Sequence, residues 1–295
     1  MHRLSFSLAA AVALLFCFET PATAQYSQPF SVVSSGATNA SGGNYTNRGT
    51  VGQAVVGRPS GGNYTTGQGF WYLLGSSASG ASLADLDVLL AGLYAGGGAM
   101  TAAAGIPTAQ PFNTGPWNYS GTESVGSVPS GVADWVLVRL YNGSQVLQAQ
   151  RAAFVKTDGS VTDLDGTSAV EFAGLAPGSY FIVIDSRNHL AVRSASTQSF
   201  SAGGTTAVNF ETSASAAFGT NAVQSLGGGL FGMRAGDVNA DGSVDALDAL
   251  VIEAAKGSST GYVPSDLDGD NDVDNADLLA YWLVSNGFFS YAPGF

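Results

Sequence analysis

The sequence holds one cysteine, two histidines and ten basic residues in 295 positions, and each shortage removes a class of chemistry. The cysteine, Cys17, lies inside an apolar run near the start, so the remainder offers no disulfide, thiolate metal site or cysteine nucleophile. His189 is the sole histidine beyond residue 2, too few for a transition-metal cage or a familiar nucleophile pair. Ten Lys and Arg against 22 Asp and Glu leave a net charge of -12, which excludes nucleic acid as the expected partner, because phosphates need basic side chains. No HExxH stretch occurs, and the chain reads as non-enzymatic. Beyond residues 4–18 no run is apolar enough to span a bilayer, so no transmembrane segment is expected in the mature chain.

What the chain does have is 45% apolar residues and 40 glycines, a composition suited to strands and turns. Residues 1–24 read as a secretory signal: His2 and Arg3, an apolar core from Leu4 to Phe18, and Ala22-Thr23-Ala24 as a small-x-small cleavage site. Phe16 before Cys17 does not fit a lipoprotein anchor, which wants a small residue there. The expected location is therefore secreted, in the extracellular space or on the surface of a bacterium. An exported chain without disulfides needs another source of stability.

Residues 25–75 form a Gly-rich repeat module. Ser41-Gly42-Gly43-Asn44-Tyr45-Thr46 recurs as Ser60-Gly61-Gly62-Asn63-Tyr64-Thr65, turn chemistry leading into a strand. Its Tyr and Trp residues suit either a small core or stacking on a sugar ring, which makes a glycan a candidate partner. Residues 76–82 read as a linker. From 83 to 212 strand signals recur at short spacing: 135–141 closed by Asn142-Gly143, then 146–155, 169–172, 180–184, Val192 and 208–210. That pattern predicts an antiparallel β-sandwich-like domain. Residues 213–235, rich in Ala, Ser and Gly, read as a connector.

Five stretches in this region resemble a β-rich accessory module of large secreted and surface proteins of environmental Gram-negative bacteria. They are P-F-N-T-G-P-W-N-Y-S-G-T-E (111–123), D-W-V-L-V-R-L (134–140), D-G-S-V-T-D-L-D-G (158–166), G-L-A-P-G-S-Y-F-I-V-I (174–184) and R-N-H-L-A-V (187–192). The resemblance implies that residues 83–94, ambiguous by local pattern, begin as a strand. It carries no catalytic residues. Asp158, Asp163 and Asp165 look like half a cation loop but also fit hairpin turns at Gly159 and Gly166. His189 is expected to hydrogen-bond a loop, and nothing in the spacing of Glu123, Asp134 and Glu171 makes them a glycosidase pair.

Charge concentrates near the end. Residues 237–277 carry eleven acidic side chains and one lysine, Lys256, so ten of the twelve net negative charges lie there. Residues 237–248 read D-V-N-A-D-G-S-V-D-A-L-D and 266–277 read D-L-D-G-D-N-D-V-D-N-A-D. In each, oxygen side chains fall at positions 1, 3, 5, 9 and 12, the spacing that wraps a hard cation wanting six to eight oxygens. The candidate ligands are Asp237, Asn239, Asp241, Ser243 (through its carbonyl), Asp245 and Asp248 in the first loop. In the second they are Asp266, Asp268, Asp270, Asp272, Asp274 and Asp277. Two Ca²⁺ ions are the expected cofactors. Position 6, where the backbone must turn left-handed, is Gly242 in one loop and Asn271 in the other. Val244 and Val273 at position 8 are expected to bridge the loops. Helices are predicted over 246–256 and 275–285, with Leu247, Leu250, Val251 and Ala254, and Leu278, Leu279, Trp282 and Leu283, on their buried faces.

Two registered loops, each followed by one helix and repeating every 29 residues, resemble a type I dockerin across residues 236–295. The resemblance implies two bound Ca²⁺, a two-helix fold assembled on binding, and a cohesin-like or cell-surface protein partner. Positions 10 and 11, where cohesin-binding dockerins usually carry Ser-Thr, are Ala246-Leu247 and Asn275-Ala276 here. The whole therefore reads as mainly β, with a small N-terminal β module and a C-terminal α-helical calcium-loop domain. Its expected role is attachment or assembly on a cell surface or in an extracellular complex. The alternative is a cohesin-docking component of a polysaccharide-degrading complex.

Overall fold

The computed structural model describes residues 36–42, 45–51, 60–61, 64–65, 80–258 and 260–293. The signal expected over 1–24 lies outside them, as does most of the linker. The chain divides into two compact units, 1–75 and 76–295. In the first, β1 (Gly36–Gly42), β2 (Tyr45–Val51), β3 (Ser60–Gly61) and β4 (Tyr64–Thr65) form one sheet in sequence order. Both copies of the repeat keep one register, Gly42 opposite Tyr45 and Gly61 opposite Tyr64.

The second unit is mainly β. Its strands begin with β5 (Ser82–Asp87), β6 (Leu89–Leu90), β7 (Tyr94–Gly96), β8 (Ala99–Met100), β9 (Val132–Tyr141), β10 (Leu147–Lys156) and β11 (Ser160–Thr162). They continue with β12 (Val170–Phe172), β13 (Gly178–Asp185), β14 (Val192–Arg193), β15 (Gln198–Phe200), β16 (Thr205–Asn209), β17 (Gln224–Gly227) and β18 (Leu230–Met233). Nine of these build one sheet along the path β12-β5-β11-β10-β9-β13-β14, with β15 beside β13 and β16 parallel to β5. Residues 83–94 do begin as a strand.

The centre is β9, buried at all ten positions. Alternation splits its side chains between two faces. Val136, Val138 and Leu140 join the main core, which also holds Leu86, Ile182 and Phe200. Trp135 and Leu137 face the other way, onto Phe112, Phe154 and Tyr119. That second face is covered by the irregular segment around 106–128, where the sandwich reading would place another sheet. Trp135 anchors it, with its indole N–H donating to the Pro107 carbonyl at 2.8 Å and its ring 4.0 Å from Phe154.

The stretch 213–235 is more than a connector. It holds the β17–β18 hairpin, and β18 runs parallel to β6, placing Met233 opposite Leu90 in the core. Gly227, Gly228 and Gly229 all sit at positive φ, so the glycines that looked like flexible spacing form a tight turn.

Three polar expectations can be placed. Asp163 pairs with Arg151 through two hydrogen bonds, 2.7 and 2.9 Å, while Asp158 and Asp165 accept from Ser160 and from Thr167 and Ser168 in turns. Glu123 accepts from the Tyr119 hydroxyl, Asp134 is ion-paired to Arg187, and Glu171 is exposed, so each stands in its own set of contacts. His189 hydrogen-bonds a loop, its Nε2 accepting from the Gly92 N–H at 3.1 Å. Burial and nearby Arg187 push its imidazole down to about 3, so it stays neutral.

Candidate metal centre

The two acidic loops share most of their framework hydrogen bonds, 29 residues apart. At position 1, Asp237 and Asp266 are buried, and each carboxylate accepts backbone N–H groups from its own loop. Asp237 takes Asp241 and Gly242, both at 3.1 Å; Asp266 takes Gly269 at 2.7 Å and Asn271 at 3.1 Å. At position 12, Asp248 and Asp277 are buried as well. Asp248 accepts from Val238 and Asp245, Asp277 from Leu267 and Asp274, all within 2.6–2.9 Å. Each loop is thereby cinched at both ends by a carboxylate.

Position 6 adopts the left-handed conformation the turn requires, at φ 87° for Gly242 and 79° for Asn271. Position 4 does the same, with Gly269 at 74° and Ala240 at 55°. A Cβ at that φ costs about 1–2 kcal/mol. Ala240→Gly is expected to stabilise the metal-free chain by roughly 1 kcal/mol, read as a higher urea midpoint. An unchanged midpoint would show that the first loop bears no strain there.

The remaining candidates line the loops' open side. Asn239 accepts from the Asp241 N–H at 2.9 Å, and Asp241 in turn accepts from Ser243 at 3.0 Å. In the second loop Asp268 and Asp270 are followed by Asp272, whose N–H donates to Asp270 at 2.9 Å. Asp245 and Asp274 at position 9 accept from the N–H two residues on, at 2.7 and 2.5 Å, so Asp245 caps the helix it precedes. Asp245 and Asp248 together make a capping box, so the loop's last residues also start the helix.

Do these groups fit Ca²⁺? One oxygen each of Asp266, Asp268 and Asp270 lie within 4.8 Å of one another. Every side-chain donor in both loops is an oxygen, the hard ligand set that cation prefers. Electrostatics agree. Burial, then Asp248 and Asp241, push Asp237 up to about 8. Burial, then Asp277 and Asp270, push Asp268 up to about 6, and burial raises Asp248, Asp266 and Asp277. Carboxylates gathered this closely without a cation resist ionising together. The residues fit the ion.

Two expectations need correction. Val244 and Val273 do not bridge each other. The Val244 N–H donates to Phe288 O and its carbonyl accepts from Gly287, while Val273 O accepts from Gly257, at 2.9, 2.8 and 3.0 Å. Each loop is closed by residues that follow the other loop's helix, because the helices are too short to keep those segments apart.

The apolar helix faces hold only in part. In the first helix (Ala246–Ala255) Ile252 is buried with Val238, Leu267 and Val273, whereas Leu247, Leu250 and Val251 are 57%, 64% and 42% exposed. In the second, Leu278 and Trp282 pack against that cluster while Leu279, Leu283 and Val284 are at least half exposed. So small a module has room to bury one line of each helix.

The second helix keeps the predicted bounds, 275–285, with a π-helical stretch (Asp277–Trp282) between an α start at 275–276 and a short α turn (Leu283–Ser285). The indole N–H of Trp282 donates to the Asp245 carbonyl at 2.9 Å, tying that helix to the first loop.

A feature absent from any motif is how the β-domain grips the second loop. Arg187 is ion-paired to Asp134 at 3.1 Å, stacks 4.2 Å over the Tyr262 ring and donates to the Val263 carbonyl. The Tyr262 hydroxyl donates to Asp134, and the Asn188 amide donates to Pro264 O and Asp266 O at 3.1 and 3.0 Å. The sequence reading expected His189 to hydrogen-bond a loop and gave no sign that Arg187 and Asn188 reach the second acidic loop.

No family model matches this chain. No curated protein matches it either. Among solved structures, two complexes from Acetivibrio cellulolyticus align in part, both described as interface mutants of a type II Cohesin-X-Dockerin complex. The C-terminal interface mutant aligns at TM-score 0.33 and 19% identity, the N-terminal one at 0.32 and 17%. Each alignment covers 52% of this chain and 82% of the matched chain. Likeness at this level says nothing of partner or activity. Among the described residues, no helix is long and apolar enough to cross a membrane.

Proposed function

We propose that residues 236–293 are a calcium-folded, dockerin-like paired-loop module, carried on a β-domain and used outside the cell to join a protein partner of the cohesin kind. The supporting observation is the repeated framework. Buried carboxylates at positions 1 and 12 accept matching backbone hydrogen bonds in both loops, with oxygen side chains filling the positions between. A solvated acidic tail has no reason to build this twice. Calorimetric titration of the metal-free chain with Ca²⁺ tests it, with two bound ions expected; no heat of binding would refute it.

The partner reading rests on Leu250 and Leu279, equivalent positions of the two helices, which are 64% and 58% exposed. Paired apolar faces suit a protein surface better than a hydroxyl-rich one. Leu250→Asp with Leu279→Asp is expected to shift stability by less than about 0.5 kcal/mol, since both are surface positions. The same change should abolish capture by a cohesin panel; retained capture would move the contact elsewhere. The chain's role in this reading is assembly without catalysis. His189 is neutral and buried, and Asp134 is committed to Arg187 and Tyr262.

A further inference from the structure

The two loops differ in what stands behind them. In the second, the carbonyl of its first ligand residue, Asp266, accepts from Asn188 Nδ2 at 3.0 Å, with Arg187 Nη2 at 3.5 Å. Three residues on, Gly269 O accepts from the Ala104 N–H at 2.9 Å, and a Cβ on Gly269 would lie 2.9 Å from Ala103 Cα. Leu267 O sits so close to Gly92 that a Cβ there would come within 2.1 Å of it. The segment that opens this loop is thus pressed against β-domain backbone and held by a buried amide.

The first loop has no such backing. Among the described residues its entry is tied by backbone alone, Gly236 N–H to Asn188 O at 2.9 Å. Its later positions are closed by the C-terminal segment and by Trp282.

We infer that Asn188 is a positioning residue for the second calcium loop, making that site preorganised and the tighter of the two. This rests on the paired-loop reading above. The amide fixes the Asp266 backbone, hence where the Asp266 carboxylate starts and where Asp268 and Asp270 follow. A ligand set that is already placed loses less conformational freedom when the ion arrives. Supporting groups of this kind typically change metal affinity about 10–100-fold when removed.

The test uses the full chain and Ca²⁺ alone, titrated calorimetrically in two backgrounds. One disables the first loop (Asn239→Ala with Asp241→Ala), the other the second (Asp268→Ala with Asp270→Ala). With both loops intact, two unequal affinities are expected. Asn188→Ala should weaken calcium binding about tenfold where only the second loop works. Where only the first loop works, affinity should stay unchanged, because its tether is the Asn188 backbone.

Gly269→Ala is a second probe. Ala240 carries alanine at the equivalent left-handed position of the first loop, so a loss in Gly269→Ala beyond that shared strain reports the contact with the β-domain, where the Cβ would lie 2.9 Å from Ala103 Cα. Equal losses at both loops, as from general destabilisation, would overturn the inference; so would an unchanged second loop in both variants. Absence of calcium binding in the parent chain would overturn the paired-loop reading itself, and is a distinct result. Circular dichroism confirms that each variant keeps its β signal.

Discussion

Calcium is expected to raise the melting temperature of the chain at neutral pH and to reverse how stability responds to acid. With the free ion about a hundredfold above Kd, each site adds about 2.7 kcal/mol, and each kcal/mol is worth about 2–4 °C in a unit of this size. The acid response follows from the signs of the shifts. In the metal-free protein Asp237 is pushed up to about 8, well above its ordinary value of 3.8. A carboxyl raised on folding contributes stability that is fully present below the unfolded pKa and lost as pH rises through the folded one. Metal-free protein should therefore gain stability as pH falls from 8 toward 6.5. With calcium bound, the same carboxylates are held ionised, so protons compete with the ion and acid destabilises.

Two other groups are separable in that window. Burial pushes Glu211 up to about 7, but it acts alike with and without metal and cancels in the comparison. His189, pushed down to about 3, costs stability only below its unfolded value of 6.5. Melting curves with calcium and with EDTA at several pH values check this. Parallel pH slopes in the two series would contradict the assignment of Asp237 to a cation site.

Replacing Arg187 by alanine is expected to cost about 3–5 kcal/mol, the usual penalty for leaving one partner of a buried ion pair behind. The side chains of Arg187 and Asp134 are 4% and 1% exposed. Without the guanidinium, Asp134 keeps the Trp135 N–H and the Tyr262 hydroxyl as donors but has no cation. Tyr262 loses its stacked partner, and Val263 O loses a donor. Two changes remove the charge problem together: Arg187→Met combined with Asp134→Asn should recover a good part of the loss. Urea unfolding of the single and double variants measures both, and a single-variant loss under about 1 kcal/mol would mean water replaces the pair.

How far the sequence foretold this structure depended on whether the cause was local. Trp135 to Tyr141 reads as a strand because a short β-branched and aromatic apolar run and the Asn142-Gly143 turn act within ten residues. The spacing of the loop carboxylates was equally legible, since positions 1 to 12 are set by the chain itself. What could not be read is nonlocal. Gly227 to Gly229 have the composition of a linker, and only pairing of β18 with β6 makes them a turn. Leu250 looks like core in a helical projection, yet Ile252 takes that place once the second loop packs beside it. Arg187 and Asp134 lie 53 positions apart, and no pattern announced that they meet beneath the second loop.

The crossed closure of the loops has a consequence in time. Val244 is paired by Gly287 and Phe288, and Gly242 O accepts from the Ser290 N–H at 2.7 Å. The first loop therefore cannot finish until the last described residues have emerged, although its own ligands are made far earlier. Truncation after Ser285 should then leave the first site unformed while every one of its ligands remains present, and calcium stoichiometry would report the loss.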